Sequence, residues 1–517
     1  MTGERATSGF GERMVATSHP LAVQAAVTIM DQGGTAADAA VAAAAVLNVV
    51  DPRSTGIGGD AFALYWPAGD PGPIGLSAAG PAPAAMTLGA LTDAGHSTMP
   101  QEGPWSITVP GSVAGWEALL SRFGRKDLSE VLAPAIALAR AGFVVAPKIA
   151  EEWNTASSKL MRYEESARVY LPSGRSPGEG ERFVNPDLAS SLEALAQEGT
   201  KVFYEGWLAG SIGAAVAAAG GPLRAEDLSS WSGPEWVKPI RGRFREVDVY
   251  EIPPPGQGIV TLMALAIFET LDVADPVDRE HAAIEAMKLA FADAAAYVAD
   301  PQASGVPTEA LLSPTYLRER SGQIDMESAS VGTSGDPGDT VYLAVVDDRG
   351  DACSFIQSLY EGFGSGIAIP GTGIVMQNRG ANFVLDPDHP NCVAPGKRPY
   401  HTIIPALLGR NDVFYGCLGV VGGFMQPQAQ MQILRRLMDD GAPPKEAVDG
   451  PRWRYIEGKT VAFEPGFDPA VVSGLARRGH EVRDLGRFEA GGAQLIIKSA
   501  EGLTGASDPR KDGVAHG

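Results

Sequence analysis

The chain has 517 residues, 44% of them apolar and 20% charged, which is enough apolar surface for a large buried core and excludes disorder as its organising principle. A net charge of −21 excludes a nucleic-acid backbone as partner, because such affinity rests on Lys and Arg displacing counterions. Three scattered cysteines, Cys353, Cys392 and Cys417, exclude a disulfide framework and a paired-CxxC zinc site and point to a reducing compartment.

Residues 1–7 carry charges and Gly where a secretory signal would have a basic and then an apolar region. No uninterrupted apolar run reaches membrane-spanning length, so a cytoplasmic location is expected. Residues 22–50 predict two Ala-rich helices parted by Gly33-Gly34, with Thr35 capping the second. A Gly-rich turn, STGIGGD, then leads into a buried strand over residues 61–66. From about residue 115 to 300, apolar positions recur at three- and four-residue spacing and predict a helix-rich middle. The Pro253-Pro254-Pro255-Gly256-Gln257-Gly258 stretch interrupts it as a loop that lines a cavity.

Between Ser321 and Gly338 the composition turns to Ser, Gly, Asp, Glu and Pro, which predicts a flexible, exposed and cuttable connector. Two apolar strands follow, TVYLAVVD and ACSFIQSLY, joined by a turn at residues 348–351 in a strong hairpin signal. Further on, a helix is expected around residues 428–440 and a strand at AQLIIKS.

A hydroxyl attacks an amide only if a base takes its proton. One compact solution puts the hydroxyl on the first residue of a chain, so that its own α-amine is that base. This needs a Ser, Thr or Cys opening a strand behind a linker that can be cut, and Gly338-Asp339-Thr340 followed by VYLAVVD supplies both. Taken alone the pattern is common, since many strands open with Thr after a polar loop.

The wider chain resembles the gamma-glutamyltransferase family. The matches run in order through MVATSHPLAVQAAVTIMDQGGTAADAAVA, GIGGDAF, TVPGSVAGW, the PPPGQG loop, EAMKLAFADAAAYVADP, DTVYLAVVDDRGDACSFIQS, GFGSGIAIPGTGIVMQNRGANF, APGKRP and GASDPRKDG. The resemblance implies an α/β fold, a four-layer αββα sandwich of the N-terminal-nucleophile hydrolase type. It also implies self-cleavage between Asp339 and Thr340. A large fragment, residues 1–339, and a small one, residues 340–517, would stay together as a heterodimer, alone or as a dimer of heterodimers. Thr340 would carry the acyl group, with water or an amine as acceptor, and no cofactor or metal is expected.

Residue by residue, the resemblance assigns Ser358 as the hydroxyl beside the nucleophile, although a plain strand serine reads the same way. It assigns Gly422 and Gly423 of LGVVGGFMQPQ as the oxyanion hole and puts Thr402 and His401 at the positions of a Ser-Ser pair; Thr402 is the expected substitute, while His401 has no assigned role and reads equally as a neutral packed histidine. The glutamyl pocket departs from the family pattern. Ala79 and Gly80 replace the Arg that holds the α-carboxylate, while Tyr360, Arg379 and Asn382 stand where the α-amine is gripped. A cation at Arg379 would repel an ammonium. Arg379 is therefore expected to bind a carboxylate on a substrate lacking the amine, as in the oxamate-hydrolysing branch that the chain also resembles; Arg53 reads equally as a second such residue and as a surface or structural ion pair. Arg398 reads as structural. Neither GFGSG nor GIGGD has the Lys-Ser/Thr or strand-turn-helix context of a nucleotide loop, and His389 with Cys392 are too few for a metal.

These features together lead to a cofactor-free threonine amidohydrolase acting on a small-molecule amide. A true gamma-glutamyltransferase or glutathione hydrolase, and an unprocessed binding homologue, remain as alternatives.

Overall fold

The computed structural model describes residues 8–335 and 338–517. Residues 1–7, which carried the reading on secretory signals, and residues 336–337 of the connector lie outside the described residues.

The pattern of burial along the predicted hairpin explains the architecture. Asp339–Val346 and Ala352–Tyr360 pair antiparallel and are buried on both faces, so each strand must be covered twice. Val341, Leu343 and Val345 point into a core shared with helices Pro20–Asp31 and Ala36–Val50. Tyr342, Ala344 and Val346 point the other way, into a core shared with Leu407, Cys417 and Ile496 of a second sheet. That period-two split is what a strand between a helical layer and another sheet requires.

The first sheet runs, in spatial order, Val514–His516, Met14–Thr17, Asp339–Val346, Ala352–Tyr360, Asp60–Trp66, Ile74–Ala78 and Glu235–Val237. The second runs Ser8–Gly11, Gly502–Ser507, Gly492–Ser499, Val413–Val421, Ala406–Arg410, Val247–Glu251 and Ile240–Phe244. Both are antiparallel throughout. Helices Gly258–Glu269, Pro276–Tyr297 and Met425–Met438 cover the outer face of the second sheet. The layers are thus helix, sheet, sheet, helix, as the resemblance implied.

The two early helices form where expected, and Thr35 caps the second. Its hydroxyl accepts from Asp38 N while the Asp38 carboxylate receives Thr35 N, a reciprocal capping box. The late helix begins three residues earlier than its apolar spacing suggested, directly behind Gly422-Gly423.

Two expectations are corrected. The middle of the chain is helix-rich but contributes Glu235–Val237 to one sheet and Ile240–Phe244 and Val247–Glu251 to the other. These strands are short, and the first two are only partly buried at sheet edges, so their alternation is weak. The connector is also tethered rather than loose through Gly335. His281 Nε2 contacts Asp325 O at 2.8 Å, Lys288 Nζ donates to Ser330 O at 2.8 Å, Glu285 accepts from the Ser330 hydroxyl, and Gly332 bridges to Gly458. The segment is exposed, as expected, with Ala329 its one buried residue among 321–335, and these contacts hold it at a few points.

Candidate active site

Thr340 opens the nucleophile hairpin at a β-bulge. Asp339 pairs with Tyr360 and Val341 with Gln357, so Ser358 and Leu359 together face Thr340. Such an irregularity turns a side chain out of the regular ladder. Thr340 is only 3% exposed, and its hydroxyl donates to Ser358 Oγ at 3.3 Å.

Ser358 is the hub. Its hydroxyl donates to the carbonyl oxygen of Asp339, the residue before Thr340, at 2.6 Å. It also accepts from Tyr360 N at 2.7 Å and from Arg379 Nη2 at 3.2 Å. Donors aimed at its oxygen strengthen the bond its own proton makes to that carbonyl. Tyr360 adopts φ +81, a left-handed conformation rare for a bulky residue, which aims its N–H at Ser358.

Arg379 is fully buried, with its guanidinium 4.5 Å above the Tyr360 ring. Its Nη1 donates to Thr402 Oγ1 at 2.7 Å and its Nη2 to Ser358. Burial pulls its pKa down to about 10, against the attraction of Asp60, so it stays a cation at neutral pH. Both terminal nitrogens of its fork are therefore engaged, one by Ser358 and the other by Thr402.

Asp60 and His401 lie behind this cation, both wholly buried, with His401 Nε2 3.1 Å from Asp60 Oδ2. Ile403 N donates to His401 Nδ1 at 3.4 Å, which assigns the proton to Nε2 and makes that nitrogen the donor to Asp60. Burial together with Arg379 and Arg398 pushes His401 well below its ordinary range, so it is neutral. Burial raises Asp60 to about 7, while Arg379, Gln377 and the Gly111 and Gly80 N–H groups act to keep it ionised. His401 thus orients a buried carboxylate that balances Arg379.

Gly422 and Gly423 turn the chain from strand Val413–Val421 into helix Met425–Met438, with φ of 117 and 57. A Cβ built on Gly338 would lie 3.2 Å from Gly423 Cα, so the turn abuts the segment leading into Thr340. A glycine turn at a helix N-terminus beside the nucleophile suits developing negative charge. Gln257 of the proline-rich loop fixes this turn, donating to Gly423 O at 3.0 Å and Thr402 O at 2.7 Å. Gln426 Nε2 lies 3.5 Å from Thr340 Oγ1.

At the other side of Thr340, Arg53 forms an ion pair with the Asp339 carboxylate. Beneath it, burial raises Asp51 to about 7, opposed by Lys511 and reinforced by Glu152. Asn382 does not join the hub; it lines a cavity of about 250 Å³ with Tyr400, Phe424 and Phe291. Gly80 belongs to the backbone: a Cβ there would meet Val109 O at 1.9 Å, so that loop has no room for a carboxylate-binding side chain. Arg398 pairs with Asp300 and Glu235, as its structural reading anticipated.

Sequence reasoning missed Asp60, Gln257 and Gln426 as members of the site. For Asp60 a signal was present, since an acid that opens an otherwise apolar strand must find buried partners.

Comparison with known proteins agrees with this geometry. The family model described as gamma-glutamyltranspeptidase matches residues 22–517. The chain is 40% identical to the oxamate amidohydrolase proenzyme of Klebsiella pneumoniae, covering 98% of each. It is 36% identical to a glutathione hydrolase-like proenzyme of Bacillus subtilis, again covering 98% of each. The crystal structure of a cephalosporin acylase from Bacillus halodurans superposes with a TM-score of 0.94 at 42% identity, covering 100% of this chain and 97% of that one. A buried threonine that opens a bulged hairpin of the first sheet, in a chain matched over nearly its whole length, makes this protein an amide-bond hydrolase belonging to the gamma-glutamyltranspeptidase family.

Proposed function

We propose that Thr340 is the nucleophile of a self-processing amidohydrolase that first cuts its own chain after Asp339 and then hydrolyses small acyl amides. The observation that carries this reading is the Ser358 hydroxyl, placed between Thr340 Oγ1 and the Asp339 carbonyl oxygen. In the uncut chain, Thr340 Oγ attacks the Asp339 carbonyl carbon, the peptide C–N bond breaks, and the nitrogen takes the hydroxyl proton. Ser358 polarises that carbonyl. Water then hydrolyses the resulting ester, leaving a carboxylate on Asp339 and a free α-amine beside the restored hydroxyl.

In turnover the freed amine takes the hydroxyl proton and passes it to the leaving nitrogen. The Gly422-Gly423 turn faces the oxyanion, and water releases the acid. The fragments 1–339 and 340–517 remain one body, because each sheet draws strands from both. The relatives named as an oxamate amidohydrolase and a cephalosporin acylase support an acyl amide as substrate. A gamma-glutamyl donor fits less well, because its ammonium would approach the cation at Arg379. Unpaired cysteines support a reducing, cytoplasmic setting.

Denaturing gel electrophoresis is expected to resolve two fragments, the smaller beginning at Thr340, and Thr340→Ala is expected to give one full-length band and no turnover. An active protein whose peptide bond before Thr340 is intact would end the proposal. Gamma-glutamyl-p-nitroanilide separates the transferase reading, which requires its release.

A further inference from the structure

Helix Pro276–Tyr297 carries a cluster that the chemistry at Thr340 does not use. His281 and Glu285 stand one turn apart on it, and His480 reaches them from between helix Pro469–Arg477 and strand Glu481–Asp484. All three are buried, and one donor atom of each lies within 4.8 Å of the other two. His281 Nδ1 is 2.8 Å from His480 Nε2, which in turn is 3.9 Å from Glu285 Oε1. The atoms that face away are fixed from outside, as the outer contacts of metal ligands are. His281 Nε2 lies 2.8 Å from Asp325 O, so it carries the ring proton and leaves the Nδ1 lone pair facing His480. Glu285 Oε2 accepts from Ser330 N at 3.2 Å and from the Ser330 hydroxyl. His480 is placed by its own backbone N–H, which donates to Leu475 O at 3.2 Å. Its Nε2 donates to His281, while its Nδ1 finds no partner among the described residues. Moving that one proton from Nε2 to Nδ1 turns both facing nitrogens into lone pairs.

We propose that His281, Glu285 and His480 form a binding site for one divalent transition-metal ion of the zinc class. Ligand atoms around a tetrahedral zinc ion stand about 3.3 Å apart, given bonds of about 2.0–2.1 Å. The two edges measured here straddle that value, so shifts of roughly 0.5 Å open the histidine pair and draw in the carboxylate. Two imidazoles with one carboxylate select such an ion over Mg2+ and Ca2+, which take oxygen ligands. Lys288 is a resident rival, donating to Glu285 Oε1 at 2.8 Å, and the ion competes with it for that oxygen. Bound there, the ion joins segments that the proposed scission would part, because His281 and Glu285 precede Asp339 and His480 follows Thr340. It also braces the connector, since two of its ligands hold Asp325 and Ser330 by their other atoms. The site has no signature in the sequence, where 199 residues separate the two histidines, and it departs from the expectation that the chain holds no metal.

The test is titration of the purified, chelator-stripped wild-type protein with Co2+ alone. About one equivalent is expected to bind per chain, with the visible bands of tetrahedral cobalt(II) and no thiolate charge-transfer band. His480→Ala is expected to weaken binding at least about 100-fold, beyond what an outer contact carries. Its amide turnover, which does not use this cluster, reports that the variant is folded. Zn2+ should raise the melting temperature of the wild-type protein and leave that of His480→Ala unmoved. Lys288→Met, which takes the rival cation off Glu285, is expected to tighten Co2+ binding about tenfold or more. No bound cobalt, a thiolate band that puts the ion on Cys392, or equal affinity in wild type and His480→Ala would overturn the proposal. If His480→Ala does not fold, Lys288→Met decides: an affinity equal to or below that of the wild type places the ion elsewhere and refutes the site.

Discussion

Arg379 illustrates how one side chain changes meaning when its neighbours are known. Its sign alone argued that it repels an ammonium, and that argument applies equally to the α-amine that scission would create on Thr340. The guanidinium is one hydroxyl away from Thr340 Oγ1, through Ser358, and Asp60 with neutral His401 holds it in place. Arg53 and Asp339 also face that amine, and Asp51, Glu152 and Lys511 stand behind them. On the proposed reading of Thr340 as nucleophile, a nearby cation disfavours the ammonium form of that amine and favours the form that acts as base. Removing the cation reverses the sign: Arg379→Met is expected to move the acid limb of the kcat/KM profile about one pH unit upward, as a unit charge at this range implies. An unmoved limb with reduced amplitude would mean that Arg379 acts by position alone. None of this was legible beforehand, because Arg379 meets Ser358 across 21 residues, Thr402 across 23, and Asp60 from the opposite end of the chain.

Elements whose partners are local were read well, and those completed from afar were not. The nucleophile hairpin carried its own proof in two apolar runs and a tight polar turn, whereas the bulge that exposes Thr340 to Ser358 left no mark in composition. Likewise the cap at Thr35 was visible, but the reach of its partner was not. Asp38 is fully buried and, besides Thr35, accepts from Arg125 N at 2.9 Å and Lys126 N at 3.2 Å, tying the helix to the chain that follows Ser112–Phe123. Asp38→Ala would leave three backbone donors without their acceptor, of which Thr35 N is buried, at a cost of about 1–3 kcal/mol. The melting temperature should fall by several degrees while cleavage at Thr340 persists, read by calorimetry and gel; an unchanged transition would assign those donors other partners. The tethers of the connector were not legible for the same reason, since the side chains that hold it, His281, Glu285 and Lys288, come from a helix some forty residues earlier.

At the level of the whole molecule, the two sheets are woven from both sides of Asp339. The strand that Thr340 opens is flanked in its sheet by Met14–Thr17 and Ala352–Tyr360, and the second sheet sets four adjacent late strands between early strands at both edges. Neither proposed fragment contains either seven-stranded sheet whole, so they are expected to co-elute in size exclusion under native conditions and to separate only in denaturant; independent elution would contradict the weave. Among the described residues no helix is long and apolar enough to cross a membrane, and the fold spends its apolar surface on the three internal cores instead. The alternation along Asp339–Val346 reaches further. Odd-numbered side chains feed the helical layer and even-numbered ones the space between sheets, so adding or deleting a single residue after Thr340 would send every following side chain into the wrong layer. Length changes upstream of Gly338 carry no such penalty. The proposed site of scission is therefore locked in phase with the strand behind it, whose register sets the distance from Thr340 to the core.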